Sequence, residues 1–119
     1  MVLDSNIIIY AVEAQNPKVL QFIANNRTFV SPISKVEVLG YHNVSPANKQ
    51  NLEAFFQKMP TLAVSDDVID EAISLRQTRK MSLGDALIAG TALANNMPVV
   101  TANTKDFNWI SKFTVIDPT

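Results

Sequence analysis

Short stretches rich in β-formers recur along this chain, and nearly every one runs straight into a helix-start signal. Met1-Val2-Leu3 leads into Asp4-Ser5-Asn6, Thr28-Phe29-Val30 into Ser31-Pro32, and Thr61 to Val64 into Ser65-Asp66-Asp67. Ser, Asp and Asn at such junctions accept from the free N–H groups of a first helical turn, so each junction reads as a strand ending and a helix beginning. Strands that alternate with helices pair in parallel, because each helix carries the chain back to the end where the strand began. The expected architecture is therefore α/β: a three-layer α/β/α sandwich with a mainly parallel central sheet and right-handed crossovers.

The remaining stretches keep to the pattern. Pro17 to Ala24 predicts a second helix, with Val19, Leu20 and Ile23 on one face. The third helix runs from Ser31-Pro32 to about Tyr41. Ser45-Pro46 starts a fourth, in which Leu52, Phe55, Phe56 and Met59 recur at helical spacings until Pro60 stops it. A fifth follows Ser65 and carries Val68, Ala72, Ile73 and Leu75, and a sixth runs from Leu83 to Asn95 behind Ser82. Val99-Val100-Thr101 and Phe113 to Ile116 supply the last two strands.

No linker, repeat or low-complexity tract divides the 119 residues, so residues 1–119 are expected to form a single domain. The absence of Cys excludes disulfide frameworks, thiol catalysis, Cys-ligated zinc and iron–sulfur sites. A net charge of −1 provides no basic coat for nucleic acid. The longest apolar run, Ile7 to Val12, is six residues, far short of a membrane span, and no basic n-region precedes it. A small soluble cytoplasmic domain, with no membrane partner, is expected.

In a parallel sheet the C-terminal ends of the strands share one edge, and ligands bind there. Asp4 follows the first strand directly, and Asp106 lies five residues past Thr101, beyond the end of another. Glu37 sits on the third helix beside Ile33 and Gly40, at the margin of the apolar stripe. Asp85 opens a helix of small residues (Ala86, Ala89, Gly90, Ala92, Ala94) suited to close packing on the sheet. Four carboxylates in one cleft do not all stay ionised without a cation, because like charges raise one another's pKa. An all-oxygen set without His or Cys suits Mg²⁺ or Mn²⁺ rather than zinc. Such an ion polarises a phosphate oxygen and generates a nucleophilic hydroxide, so the expected chemistry is phosphodiester hydrolysis.

Each acid also has a plainer reading. Asp85 stands three residues after Ser82, which is a capping-box spacing. Glu37 reads equally as a helix-surface residue and Asp106 as the cap of a turn. Asp4 is hardest to dismiss, since an acid straight after an apolar strand seldom serves packing. Arg76, Arg79 and Lys80 cluster before Ser82, where they either meet an RNA backbone or simply suit the helix dipole. The apolar set Leu52, Phe55, Phe56 and Met59 reads as core or as a partner surface, and a surface this wide predicts a dimer formed through the helices around Val44 to Met59. Two other enzyme classes with an Asp after the first strand fit less well. A haloacid-dehalogenase-type phosphatase needs a second Asp two residues on, where this chain has Asn6, and a receiver domain needs an Asp where Thr61 to Val64 leads only to Ser65.

Four ordered segments resemble the motifs of PIN-domain ribonucleases. They are Leu3-Asp4-Ser5-Asn6, Ser31 to Val38 with its Glu37, Ser82-Leu83-Gly84-Asp85-Ala86-Leu87-Ile88-Ala89, and Thr101-Ala102-Asn103-Thr104-Lys105-Asp106-Phe107. Within that family the chain is most similar to the VapC-type toxins of prokaryotic toxin–antitoxin pairs. The resemblance implies a Mg²⁺- or Mn²⁺-dependent endoribonuclease, homodimeric, with RNA as substrate and a small cognate antitoxin as partner. Asp4, Glu37, Asp85 and Asp106 would be its catalytic, metal-binding acids, with Asn6, Thr101 and Asn103 as accessory hydrogen-bonding residues. The stretch from Gly40 to Val64 is compact where many relatives have longer helices. The rival reading is a catalytically silent PIN-like module that binds RNA or a partner, and the presence of all four acids argues against it.

Overall fold

Every helix begins where a polar side chain takes up its free N–H groups. In the computed structural model, which describes residues 1–119, Asp4 caps α1 (Ser5–Val12) and Asn16 caps α2 (Pro17–Asn25). Ser31, Ser45, Ser65 and Ser82 cap α3 (Pro32–Leu39), α4 (Pro46–Lys58), α5 (Asp66–Thr78) and α6 (Leu83–Ala94) in the same way. Pro17, Pro32 and Pro46 occupy first turns, where a missing N–H costs nothing. The strands are very short: β1 is Val2–Leu3, β2 is Val99–Val100 and β3 is Val115–Ile116.

These strands form one parallel sheet in the order β1-β2-β3. Two of the expected strands shrink to single parallel bridges, Phe29 to Val2 and Val30 to Thr61. Val30 is followed at once by the α3 cap Ser31, so the chain turns into its helix before a second bridge forms. The bridges still extend the sheet on the far side of β1, which therefore lies at its centre.

Successive strand residues point to opposite faces, and this sorts the core into two layers. Leu3, Val30 and Val100 pack with Ile7, Ile8, Val19, Val38, Leu52 and Phe56 of α1 to α4. Val2 and Val99 pack on the other face with Leu75, Ile88, Ala89, Ala92, Phe107 and Ile110. The three-layer α/β/α expectation holds. Val2 and Leu3 are fully buried, and burying a side chain of that kind contributes about 1.5–3 kcal/mol, so the strand that ends at Asp4 is firmly held. The small residues of α6 serve α5 as much as the sheet: a Cβ on Gly90 would stand 2.7 Å from the Val68 carbonyl oxygen, so the two helices meet backbone to backbone.

The apolar set on α4 is divided between core and surface. Leu52 and Phe56 are buried in the chain's own core, and Val44, Phe55 and Met59 pack against it while staying partly exposed. The large apolar side chains left exposed are elsewhere, among them Val36 on α3, Ile69 and Ile73 on α5, and Leu83 on α6. No helix is long and apolar enough to cross a membrane.

A candidate active site at the C-terminal edge of the sheet

Asp4 is the first residue past the central strand, and it is buried. Its backbone N–H donates to the Val100 carbonyl at 2.9 Å, which sets the end of β1 beside the end of β2. One carboxylate oxygen accepts from the Ser5 N–H at 2.8 Å. The other accepts from the Thr101 hydroxyl at 2.8 Å and from Asn6 Nδ2 at 3.3 Å. Asn6 in turn takes the Ala102 N–H on its Oδ1 at 3.3 Å. Burial pushes the Asp4 carboxyl up to about 6, the Asp85 and Glu37 charges add to the rise, and the bonds from Thr101 and Ser5 oppose it.

Thr101 and Asn6 thus both hydrogen-bond the Asp4 carboxylate. Asn103 takes part differently: its main-chain N–H donates to Thr101 Oγ1 at 3.0 Å, while its side chain caps nothing. Ser5 and Ser34 were given no role by the sequence. The Ser5 hydroxyl donates to Glu37 Oε1 at 2.8 Å and stands 3.1 Å from the buried Ser34 hydroxyl. A serine next to an acid at a helix start reads as a cap, and that signal masks its work here; the cap of α1 is Asp4 itself.

Glu37 is exposed on α3 and reaches the first turn of α6. A Cβ on Gly84 would stand 2.6 Å from Glu37 Oε2, so the glycine leaves the room that this carboxylate occupies. Asp85, next along α6, has its carboxyl raised by burial first, then by the charges of Asp106 and Glu37, against a lowering hydrogen bond from Ser82. Ser82 Oγ accepts from the Asp85 N–H at 3.1 Å, an ordinary N-cap. The cap and the charge coupling coexist at this one residue.

Asp106 ends the 3-10 turn Thr104–Asp106 beyond β2 and is exposed. The fully buried Phe107 anchors the turn, and the Trp109 indole N–H donates to the Asp106 carbonyl at 3.1 Å. Asp85 and Asp106 line a cleft of about 140 Å³ with Arg79, Lys80, Lys105 and Trp109. On the opposite side Glu37 borders a larger groove of about 340 Å³, lined by Ile9, Val38, Tyr41, Val44 and Asn48 among others.

All four predicted acids therefore reach the same edge, as a row and not as one knot. Asp4 feels Asp85 and Glu37, Asp85 feels Glu37 and Asp106, and no three carboxylates close around a single point. Like charges on rotatable stems keep their distance.

The PIN domain family model matches residues 1–112. The chain belongs to the PIN-domain family. A relative from Rickettsia bellii, Ribonuclease VapC, is 28% identical over 98% of this chain and 94% of its own length. Among solved structures, a toxin–antitoxin complex from Klebsiella pneumoniae superposes with a TM-score of 0.79 at 27% identity, covering 99% of this chain and 97% of that one. DNA-bound VapBC from Salmonella typhimurium shares the fold at a TM-score of 0.85 and 22% identity, covering 99% of this chain and 97% of that one. The donor set of this PIN domain fits a hard divalent cation: its acidic groups offer oxygens alone, and the Asp4 and Asp85 carboxyls sit above their ordinary range, raised first by burial and then by neighbouring acids.

Proposed function

We propose that this PIN domain is a metal-dependent endoribonuclease and the toxin of a toxin–antitoxin pair. The observation that carries the reading is the coupling of Asp4, Glu37, Asp85 and Asp106 along the C-terminal edge of the sheet. Mg²⁺ or Mn²⁺ would be held by these four acids and, when bound, supplies phosphate polarisation and an activated water for hydrolysis. The rest of the work falls to the chain. Thr101, Asn6 and the Ser5 N–H fix both oxygens of Asp4, so that carboxylate reaches the reaction already oriented. Ser5 holds Glu37 in place from the other side, and Gly84 keeps its space open.

The likeness to VapC proteins and to solved toxin–antitoxin complexes supports a small cognate antitoxin as the protein partner, in a cytoplasmic setting. A homodimer belongs to the same reading. Its apolar surface is drawn from Val36, Ile69, Ile73 and Leu83, because α6 packs against both α3 and α5, and Leu52 and Phe56 of α4 are committed to the core. The purified chain should cut single-stranded RNA with Mg²⁺ or Mn²⁺ and stop when EDTA is added. RNA binding without cleavage in either metal would instead assign it to the silent binding modules.

A further inference from the structure

Of the two clefts that border the site, one is lined by basic residues and the other is not. Three of the ten basic residues, Arg79, Lys80 and Lys105, line the small cleft with Asp85 and Asp106, whereas the groove beside Glu37 is lined by no Lys or Arg. The three arrive from different elements: Arg79 and Lys80 follow α5, and Lys105 lies in the 3-10 turn. Arg79 is held in place. Its guanidinium lies 5.3 Å from the centre of the Trp109 ring, and the indole N–H is bonded to the carbonyl of Asp106. The segment that carries Arg79 and Lys80 is also tied back on itself, since Arg76 Nε donates to the Met81 carbonyl at 3.3 Å. A guanidinium stacked on a ring keeps its N–H edges free, and those edges match a phosphate. The cleft, at about 140 Å³, is well below the volume of ordinary ligand pockets and is large enough for a phosphate group.

We propose that Arg79, Lys80 and Lys105 hold a backbone phosphate of the RNA adjacent to the one that is cut, so that the strand enters the site from the Asp85–Asp106 side. Trp109 is the positioning residue that presents Arg79. The proposal rests on the ribonuclease reading. A helix dipole accounts for cations at the end of α5, but it reaches neither Lys105 nor the Trp109 stack.

The test uses full-length protein carrying Asp4→Asn to stop cleavage, with a single-stranded RNA oligonucleotide in Mg²⁺ and fluorescence anisotropy across a KCl series. Adding Lys80→Ala and Lys105→Ala should make log Kd against log salt shallower by about 0.7 per cation removed. Neutral methylphosphonate linkages on one side of the scissile position should weaken binding to the parent and weaken binding to this variant, which keeps only Arg79, clearly less. In the cleaving enzyme, Trp109→Leu combined with Arg79→Ala should be no slower than Arg79→Ala alone, with melting temperatures reporting that each variant folds. A parent that binds RNA with a salt slope the lysine variants leave unchanged overturns the clamp and spares the ribonuclease reading. Additive losses in the Trp109 and Arg79 pair remove Trp109 from it. A parent that binds no RNA, in a protein that cuts none, overturns both.

Discussion

The two ends of the acidic row are built on opposite principles. Asp4 is 7% exposed, stands at the centre of the sheet and has both oxygens occupied by Ser5, Thr101 and Asn6. Asp106 is exposed, and only the main chain of its turn is held, by Phe107 beneath and Trp109 beside it. At Asp4 a carboxylate is kept where solvation disfavours its charge, so the fold carries a cost for the sake of orientation. At Asp106 the charge stays in water and the side chain keeps its rotamers. The difference separates orientation from adaptability: one acid is a fixed reference, and the other adjusts to what is bound.

The largest effect is expected where the fixed acid loses its charge. Asp4→Asn keeps the volume and should lower metal-dependent RNA cleavage on the order of a thousandfold. At neutral pH its melting temperature should hold or rise, because a buried charge among like charges is gone. Rate and melting curve measured on one preparation would break the comparison if stability collapsed along with activity.

Next comes the pH dependence of stability. With its carboxyl raised from 3.8 to about 6, folded Asp4 keeps a proton that the unfolded chain gives up. The folded state binds more protons between those values, so stability falls as pH rises through that window, by up to about 3 kcal/mol. Urea titrations from pH 4 to pH 7 should show this slope in the parent and a flatter one in Asp4→Asn. Thr101→Val removes a bond to the ionised form and should move the window upward.

Gly84→Ala sharpens the contrast from the middle of the row. The added methyl meets only the end of the Glu37 side chain, and alanine favours the helix, so stability should rise by a few tenths to about 1 kcal/mol. Displacing Glu37 should lower the cleavage rate by roughly tenfold, a case of better folding and worse chemistry. The smallest change is expected at the adaptable end: Asp106→Asn should leave the melting temperature unmoved while reducing cleavage. A clear drop in its melting temperature would show that Asp106 holds up the fold.

What could be read from the sequence was what local chemistry writes into neighbouring residues. Caps such as Ser31, Ser45, Ser65 and Ser82 act within a few residues, so all appear where the sequence puts them. The acids at strand ends followed from parallel topology, which brings distant strand ends to one edge. Relations between elements were invisible. Nothing local in Ser5 or Gly84 announces that each meets Glu37, 32 residues away in one case and across two helices in the other. The Phe55-Phe56 pair was left open for the same reason: a helical stripe does not say whether its partner is the chain's own sheet or another molecule, and here Phe56 is buried in the cluster of Leu3, Val30 and Val100 while Phe55 is only partly covered. The strands at Phe29 and Thr61 were overestimated because β-forming composition says nothing about how soon the chain must turn away.

The bond between Asp4 and Thr101 spans 97 residues. Chains are made from the N-terminus, so Asp4 emerges 97 residues ahead of Thr101, which supports it. Until Pro98 to Thr101 have been added, the Val2 and Asp4 N–H groups lack the carbonyls that receive them, and β1 has no neighbour on that side. Residues as far as Ala94 include all six helices, yet they assemble neither the Asp4 corner nor the turn that bears Asp106. A ribonuclease built this way has no finished site on the ribosome until the residues from Pro98 to Asp106 have followed the six helices.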